Sequence, residues 1–571
     1  TPPLPAGVSV TSAAIAAPSE QRFALGLSNG QALIVGIEFG LSYPNNKRLI
    51  TPKLRYSAGE TPITIDESGS AINHLAFSFS SDKITFAYQD NNGIWRLSRL
   101  EGQENMMTEE IEWTTTSALL PDAPKKAAHQ LMTPDQRQLM LQMGNKVFVY
   151  NIRDIENIDL IQVIDAEKDK SKVNNIALLA GASSILVSYD SGVVTQYFQV
   201  NGPKGRLYKE IREFSGLPPV ASMASEFYRK SFAVVSPEGE LSLLYTTSER
   251  ELFDKTFDLK NPGAMGFSPR SNGLVVEANN KLNIFHVENA HPEVSWSALW
   301  NKVWYEGYPE PKFVWQSTSG SDDFEAKLSL MPLAFGTMKA AFYAMLFAVP
   351  LAIAGAIYTA YFMSPKVRGI VKPTIEIMAA LPTVILGFLA GLWLAPFIEE
   401  YLSAVFAILF LMPFMMLAAA YLWRYMPESI RNRFGLGWEA AFLVPVIILF
   451  GYLAISASPM IDNTFFDGSL RQWFTDNGIN YDQRNALIVG IAMGFAVIPN
   501  IFSIAEDAIF NVPRHLTQGS LALGATPWQT MVGVVLPTAS PGVFAAVMVG
   551  FGRAVGETMI VLMATGNSPV V

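Results

Sequence analysis

The chain has 571 residues, enough for two or more domains, and half of them are hydrophobic while only 16% are charged. This apolar excess predicts membrane helices in part of the chain. The formal net charge of −9 and the lack of a long Lys/Arg run argue against a nucleic-acid partner. The absence of cysteine removes disulfides, thiol catalysis and cysteine-ligated zinc.

Residues 1–294 carry the pattern of strands and hairpins. Short alternating apolar runs are separated by turns such as Asn29-Gly30 and Glu238-Gly239. Six similar units repeat at roughly 40 to 60 residues, the range of propeller blades. Their first runs begin near Ser12, Ile72, His129, Asn174, Val220 and Ala264. These units resemble WD-repeat-like blades without the Trp-Asp signature, and predict an all-β propeller-like domain of six or seven blades. A pair of β-sandwiches is the alternative.

Residues 295–332 form a distinct, aromatic-rich stretch. Its large aromatic side chains are Trp296, Trp300, Trp304, Tyr305, Tyr308 and Trp315. Because amphipathic aromatic residues favour the headgroup level of a bilayer, we expect this segment to be an interfacial linker.

Residues 333–571 contain apolar segments long enough to cross about 30 Å of hydrocarbon as helices. The predicted helices are Leu333–Met363, Thr374–Phe397, Leu402–Trp423, Trp438–Ile455, Ala486–Ile504 and Val543–Met563, the last bounded by Pro541 and Gly566. This pattern predicts an all-α polytopic membrane domain.

The loop charges predict the orientation of these helices. Cationic loops follow the first and third helices (Lys366, Arg368, Lys372; Arg424, Arg431, Arg433), and acidic loops follow the second and fourth (Glu399, Glu400; Asp462, Asp467, Asp476, Asp482). By the positive-inside rule, the first helix runs from outside to inside. The propeller would then lie outside the cytoplasm, and we expect an export signal or anchor upstream of Thr1.

Residues 507–537 lie between two predicted spanning helices on the cytoplasmic side. They include a short stretch of small residues, a break at Gly524, a helix start at Pro527 and a Leu536-Pro537 stop. This pattern predicts a compact knob, although an ordinary loop between helices is the alternative.

The segment resembles the cytoplasmic coupling loop, the EAA loop, of ABC importer permeases, which docks on the ATP-binding subunit. The resemblance implies coupling residues along this loop. They are Gln518, Ser520, Ala522, Leu523, Gly524, Ala525 and Pro527. Gln518 departs from the usual glutamate, which puts a salt bridge to the ATPase in doubt.

The last apolar segment contains Arg553 and Glu557, four residues apart. Each ionisable group costs on the order of 3 kcal/mol at mid-membrane, so such a pair is rarely without a role. At this spacing in a helix the two side chains share one face and can neutralise each other. Gly552 and Gly556 also form a G-x-x-x-G pair, which predicts a close helix approach.

The string Gly552-Arg553-Ala554-Val555-Gly556-Glu557-Thr558-Met559, followed by Thr565-Gly566-Asn567, resembles the permease pair of the Pst phosphate-import system, closest to its C-type subunit. The resemblance implies that Arg553, Glu557 and Thr558 lie on the phosphate pathway. Arginine suits this role because its planar donors can hold phosphate oxygens in pairs. A purely structural ion pair is the alternative.

The resemblance extends upstream through Phe335-Gly336-Thr337, Val349-Pro350-Leu351 and Ile375–Val384, and leaves the propeller and a helical hairpin over residues 402–455 as additions. It adds Glu376 and Thr383 as pathway candidates. Glu376 would be a buried acid that balances Arg553, or an interfacial charge. Pro382 would kink the helix and free backbone carbonyls.

No phosphate-binding G-x-x-x-x-G-K-[ST] loop occurs, so we predict a non-enzyme that binds no cofactor, with ATP and Mg²⁺ on a partner. The expected function is the permease subunit of a phosphate importer in the bacterial inner membrane. The expected partners are a dimer of cytoplasmic ATP-binding subunits, a second homologous permease, a periplasmic phosphate-binding protein and membrane lipid. The alternatives are a permease for another oxyanion, such as sulfate or molybdate, and a membrane-anchored propeller that acts as a sensor or scaffold.

Overall fold

The chain divides into two compact units, Thr1–Ser329 and Leu330–Val571. The computed structural model describes residues 4–16, 20–57, 59–104, 111–168, 171–202, 205–320, 324–423, 425, 443–479 and 481–565. The first unit is built of strands and the second of helices.

The first unit is a six-bladed β-propeller. Each blade is an antiparallel meander of consecutive strands. Blade one contains β1 (Val10–Ile15), β2 (Arg22–Leu27), β3 (Gln31–Ser42), β4 (Leu49–Arg55) and the short β5 (Ile63–Thr64), which pairs with β3. Blade two contains β6 (His74–Phe79), β7 (Lys83–Gln89), β8 (Trp95–Glu104) and β9 (Ile111–Leu119). Blade three contains β10 (His129–Met132), β11 (Gln138–Met143), β12 (Lys146–Asn151) and β13 (Asp159–Asp165).

The remaining blades follow the same order. Blade four contains β14 (Val173–Leu178), β15 (Ser184–Tyr189), β16 (Val194–Gly202) and β17 (Gly205–Phe214). Blade five contains β18 (Ser222–Ser225), β19 (Ser231–Val235), β20 (Glu240–Tyr245) and β21 (Arg250–Thr256). Blade six has three strands in the described chain, β22 (Met265–Phe267), β23 (Gly273–Ala278) and β24 (Lys281–His286). The prediction of a propeller is confirmed, and the β-sandwich alternative is wrong.

Apolar residues from neighbouring blades pack together and form the core of the propeller. The alternating strands place one set of side chains between adjacent sheets, where burial stabilises each by about 1.5–3 kcal/mol. Residues that share a cluster across successive blades are Ile34 with Phe86, Leu97 with Leu141, Val147 with Val187, Leu186 with Val234, and Val235 with Val276.

Side-chain hydrogen bonds to backbone carbonyls join successive inner strands. The Thr11 hydroxyl donates to the Ile72 carbonyl at 2.6 Å, and the Gln130 amide donates to the Leu75 carbonyl at 3.1 Å. The Ser225 hydroxyl donates to Leu178 at 2.5 Å. These bonds tie the inner ends of the blades together, where backbone carbonyls would otherwise lack partners.

The segment predicted as a separate linker is part of the propeller unit. It contains α1 (Trp296–Trp300) and a two-stranded hairpin of β25 (Trp315–Gln316) and β26 (Lys327–Leu328). The Arg212 guanidinium donates to the Trp304 carbonyl at 2.5 Å, and Tyr305 is buried. The unit boundary therefore lies at Ser329, not at residues 294 and 332, because polar and aromatic contacts hold the segment on the blades.

The second unit is a bundle of helices. They are α2 (Met331–Ile357), α3 (Pro365–Met378), α4 (Thr383–Leu389), α5 (Ala395–Glu400), α6 (Leu402–Trp423), α7 (Leu443–Phe465), α8 (Leu470–Asp476), α9 (Ala486–Phe510), α10 (Arg514–Ala522), α11 (Pro527–Thr530), α12 (Leu536–Gly556) and α13 (Met559–Thr565). Three π-helical turns extend neighbouring helices, at Tyr358–Phe362, Ala390–Leu394 and Met531–Val535.

Among the described residues, six helical runs are long and apolar enough to span a membrane. They are Met331–Phe362, Thr383–Glu400, Leu402–Trp423, Leu443–Asp476, Ala486–Phe510 and Pro527–Gly556. The prediction of a polytopic helical domain is confirmed. The core of the bundle is α9 against α2, where alanines such as Ala344 allow a close approach to Gly490 and Gly494.

Several predicted helix bounds are wrong. The second predicted helix is interrupted, because Pro382 takes extended backbone between α3 and α4. In the predicted hairpin, α6 and α7 pack together, but α7 continues ten residues beyond Ile455. Trp438 and the loop arginines Arg424, Arg431 and Arg433 lie outside the described residues, as do Gly566 and Asn567.

Candidate functional site

The predicted coupling loop forms a two-helix knob, Arg514–Thr530, that follows α9 directly. Helix α10 ends where Gly524 adopts a left-handed φ of +90°, and the Gly524 N–H donates to the Leu521 carbonyl at 3.0 Å. Glycine adopts this left-handed conformation without strain, because it has no Cβ. Helix α11 then begins with a capping box, in which Thr526 and Gln529 each bond the other's backbone N–H.

The knob exposes large apolar side chains. Leu523 is 92% exposed and Trp528 is 63% exposed, while Gln518 and Pro527 also face solvent. A hydrogen bond of 2.9 Å between the Ser520 and Thr530 hydroxyls holds α10 against the following helix. The internal bonds therefore fix the shape of the knob, while the described part of the chain leaves its apolar tip uncovered. Such a tip is typical of a surface that docks into a partner.

The predicted stop at Leu536-Pro537 is wrong. Pro537 lies at the start of α12, directly after the π-helical turn Met531–Val535, and the run continues through Pro541 to Gly556. The last candidate span therefore begins at Pro527, not at Val543.

Arg553 and Glu557 do not share a helical face, which corrects the prediction. Helix α12 ends at Gly556, and Glu557 has extended backbone with ψ 108°. Its carboxylate instead accepts hydrogen bonds from the backbone N–H groups of Met559 and Ile560, at 3.2 and 3.4 Å. A capping carboxylate of this kind competes with helix continuation, so α13 begins as a new helix.

Arg553 is half-buried in the last turn of α12. Within the described residues it makes no hydrogen bond or ion pair, and Thr558 is exposed just beyond the break. A guanidinium with free donors near a helix end can bind an oxyanion, because its planar N–H groups can donate to two oxygens at once.

Gly552 and Gly556 do not mediate a close approach to any segment that the structure describes. A Cβ on either would meet no atom within 4 Å. The close contacts fall at Gly542, where a Cβ would lie 2.4 Å from the Ala508 Cβ, and at Gly550, where it would lie 2.4 Å from an Ile501 side-chain carbon. The packing of α12 on α9 therefore uses different glycines.

The two upstream candidates lie on either side of the α3–α4 break. Glu376 is exposed near the end of α3, so the prediction of a buried acid is wrong, and Thr383 is half-buried as the first residue of α4. Helix α13 packs closely on α4, since a Cβ on Gly387 would lie 2.9 Å from the Ile560 Cα. The α4–α13 contact thus brings the helix that begins at Thr383 next to the helix that follows Glu557.

A buried charge cluster that the sequence pattern does not predict lies near the end of α9. Glu506 is fully buried near the end of α9. The Arg368 guanidinium lies 2.6 Å from its Oε1, and Lys372 Nζ lies 2.8 Å from its Oε2 and 2.5 Å from Asp507 Oδ1. Two signals in the sequence are consistent with it, an acidic pair that closes an apolar helix and two cations four residues apart, but cations at this position equally fit an exposed loop.

The propeller contains a cavity of about 1070 Å³, lined in part by residues from the first strands of blades one to five. Glu226 is among its lining residues and is 1% exposed, and neither carboxylate oxygen has a hydrogen-bond partner among the residues that the structure describes. Burial raises the pKa of Glu226 to about 7, and Arg229 opposes the shift. No group of three or more His, Asp or Glu side chains arranged for a metal occurs in the described chain.

Residues 352–571 match the family model of the binding-protein-dependent transport system inner membrane component. The matched residues lie wholly within the helical unit. The chain thus joins a propeller to a helical unit that has six candidate spans and is similar to this family of membrane components.

Three curated relatives illustrate the similarity. The probable ABC transporter permease protein YqgH of Bacillus subtilis is 26% identical over 249 residues, which cover 43% of this chain and 56% of the relative. The phosphate transport system permease protein PstC of Pasteurella multocida is 29% identical over 180 residues, which cover 30% of this chain and 56% of the relative. PstC 1 of Mycobacterium tuberculosis is 25% identical over 236 residues, which cover 41% of this chain and 53% of the relative. The chain spans about half the length of the curated relatives it matches.

Among solved structures, the β-propeller domain of Cps50 (Swd1) from Myceliophteria thermophila covers 49% of this chain and 84% of its own, at 11% identity and a TM-score of 0.34. The propeller assignment rests on the strand pairing described above.

Proposed function

We propose that this chain is the permease subunit of an ATP-driven importer for inorganic phosphate. The observation that carries the proposal is the knob Arg514–Thr530, whose shape is fixed by internal hydrogen bonds while Leu523 and Trp528 remain exposed. A dimer of cytoplasmic ATP-binding subunits would receive this tip in a cleft. ATP-driven closure of that dimer would then move the knob and switch the exposure of the membrane path.

Phosphate is the proposed solute because Arg553 offers free donors at a helix break and because curated relatives are named as phosphate permeases. The exposed Gly552 and Gly556 offer a smooth helix face for a second permease chain, which would complete the path. A periplasmic phosphate-binding protein would deliver the anion.

The proposed orientation places the knob in the cytoplasm and the propeller in the periplasm of the inner membrane. The ion pairs of Arg368 and Lys372 with Glu506 bring the cationic segment after the first span to the same end of the helical unit as the knob. This arrangement supports the proposal, because cationic loops favour the cytoplasmic side.

The test is phosphate-dependent ATP hydrolysis by the complex reconstituted from this chain and its proposed partners. Leu523→Ser should weaken copurification of the ATP-binding subunit and lower ATP hydrolysis, because the most exposed apolar group of the tip is lost. Ile479→Ser is the matched control, since Ile479 is also exposed but lies between α8 and α9. Equal effects of the two substitutions, or no hydrolysis with the intact chain, would overturn the proposal.

A further inference from the structure

We propose that Glu506, Arg368 and Lys372 form a joint that transmits movement of the knob to α3 and on to the α3–α4 break. The inference rests on the proposed function, since it assigns a path for the same ATP-driven movement. These are positioning residues, because none of them needs to touch the transported anion.

The first part of the joint is the short connection between the knob and α9. Only Asn511, Val512 and Pro513 separate Phe510 from Arg514, and Val512 is buried. Pro513 also restricts its own backbone and that of the residue before it. A displacement of α10 must therefore act on the last turn of α9, which carries Glu506, Asp507 and Phe510.

The second part is the attachment of that turn to α3. Arg368 Nε donates to Glu506 Oε1 at 2.6 Å, and its guanidinium lies 3.4 Å from the centroid of the Phe510 ring. Lys372, one helical turn later, bridges Glu506 and Asp507. Because a buried carboxylate that loses its cations is strongly unfavourable, these groups should stay together and move as one body.

Little else among the described contacts fixes α3. No residue between Pro365 and Met378 is fully buried, in contrast to the many buried residues of α9. Packing of partly buried residues such as Ile375 adds to the polar contacts. The charged joint is thus the main feature that ties the orientation of α3 to α9.

The third part is the far end of α3. After Met378 the chain turns, Pro382 takes extended backbone, and α4 begins at Thr383. A rotation of α3 would therefore change the backbone at the break between α3 and α4. Helix α4 packs on α13, which follows the other break, at Glu557.

The experiment uses site-specific labelling, which is clean because the chain contains no cysteine. Leu381→Cys places a thiol at the break, where Leu381 is 49% exposed. Its labelling rate with a water-soluble maleimide would be measured in the assembled complex with and without ATP. The same measurement would be made with Glu506→Gln or Arg368→Gln added, alongside phosphate uptake per ATP hydrolysed.

Arg471→Gln is the matched control, because Arg471 of α8 pairs with Glu399 of α5, both remote in sequence from the knob. We expect ATP to change the labelling rate in the parent and in the control. In Glu506→Gln and Arg368→Gln that change should shrink, with phosphate moved per ATP falling roughly fivefold to tenfold in complexes that still retain the ATP-binding subunit. Arg368→Lys should retain part of the ATP-dependent change in labelling rate, since lysine keeps the positive charge but lacks the planar guanidinium donors.

The outcomes separate the two proposals. An ATP-dependent change that survives unaltered in Glu506→Gln and Arg368→Gln would overturn the joint and leave the proposed function intact. No ATP-dependent change in the parent would overturn the proposed function and the joint with it. A purely structural role predicts fewer assembled complexes but an unchanged ratio of uptake to hydrolysis in each, and this result would also overturn the joint.

Discussion

Lys230 and Glu306 form a buried ion pair that joins blade five to the segment after the propeller strands. Lys230 Nζ lies 2.7 Å from Glu306 Oε2, with side chains 2% and 11% exposed. The same ammonium donates to the Ala180 carbonyl at 2.5 Å, so one cation links two blades and the segment. The ion pair therefore attaches the aromatic stretch to the blades, in addition to the packing of its aromatic side chains.

Removing the cation should destabilise the propeller. We expect Lys230→Met to lower its free energy of unfolding by about 3–5 kcal/mol, because Glu306 would stay buried without its partner. Lys230→Met combined with Glu306→Gln should recover most of this loss. Thermal unfolding of the purified chain, followed by circular dichroism of the strands, measures the effect. Equal losses in the single and double variants would contradict a charge origin.

A close backbone contact should make Gly192 irreplaceable. Gly192 has a φ of +81°, and a Cβ there would lie 2.0 Å from the Leu217 carbonyl oxygen. Gly216 has a similar φ of +85° with open space around it. Gly216→Ala should cost about 1–2 kcal/mol through its backbone conformation alone, and Gly192→Ala about 3 kcal/mol or more. Equal melting temperatures for the two variants would show that the contact is without consequence.

The stability of the propeller should fall as the pH rises toward neutrality, because of Glu226. Its pKa of about 7 in the folded state exceeds the ordinary value of 4.5, so the folded chain binds more protons than the unfolded chain between these pH values. The contribution is fully present below pH 4.5 and lost through pH 7, a change of about 3 kcal/mol. The titratable groups that interact with Glu226 are the charged Arg229 and the neutral, buried phenol of Tyr245.

Melting temperatures at pH 5 and pH 8 test this dependence. Glu226→Gln should flatten it and stabilise the chain at pH 8 relative to the parent, since the amide carries no charge to desolvate. Glu238→Gln, on an exposed turn, serves as the control and should behave as the parent does. A Glu226→Gln chain with the parent's full pH dependence would show that another group titrates.

Two glycines on α12 should respond differently to a large side chain. Gly550→Leu should lower the thermal stability of the chain alone, because Ile501 already occupies the space next to Gly550. Gly552→Leu should leave that stability unchanged. It should reduce copurification of the second permease, because the leucine would occupy the open face of α12 proposed to bind that chain. Normal pairing of the Gly552→Leu chain would exclude this face from the permease interface.

The strand half of the fold could be predicted from the sequence because propeller blades repeat a local pattern. Alternation and turn residues such as Gly30 and Gly239 indicate each hairpin without knowledge of distant contacts. The position of the aromatic segment could not be predicted in this way. It depends on pairs such as Lys230 with Glu306, 76 residues apart, which hydrophobic periodicity does not encode.

The candidate site was predictable where it follows a local signal and not where it depends on packing. Gly524 marks the end of α10 as the sequence predicts. The spacing of Arg553 and Glu557 predicts a shared face, but capping by the Glu557 carboxylate breaks the helix between them. Glu506 lies 138 residues from Arg368, so its burial as an ion pair emerged only in the folded chain.

The most direct test of the central claim is uptake of radiolabelled phosphate into vesicles that contain the assembled complex, with unlabelled sulfate or molybdate as competitors. The proposal predicts ATP-dependent phosphate entry that neither competitor suppresses. Arg553→Gln should abolish this entry while the ATP-binding subunit remains bound, and Arg553→Lys should retain part of it. Full uptake by Arg553→Gln, or suppression by sulfate or molybdate, would contradict a phosphate path at Arg553.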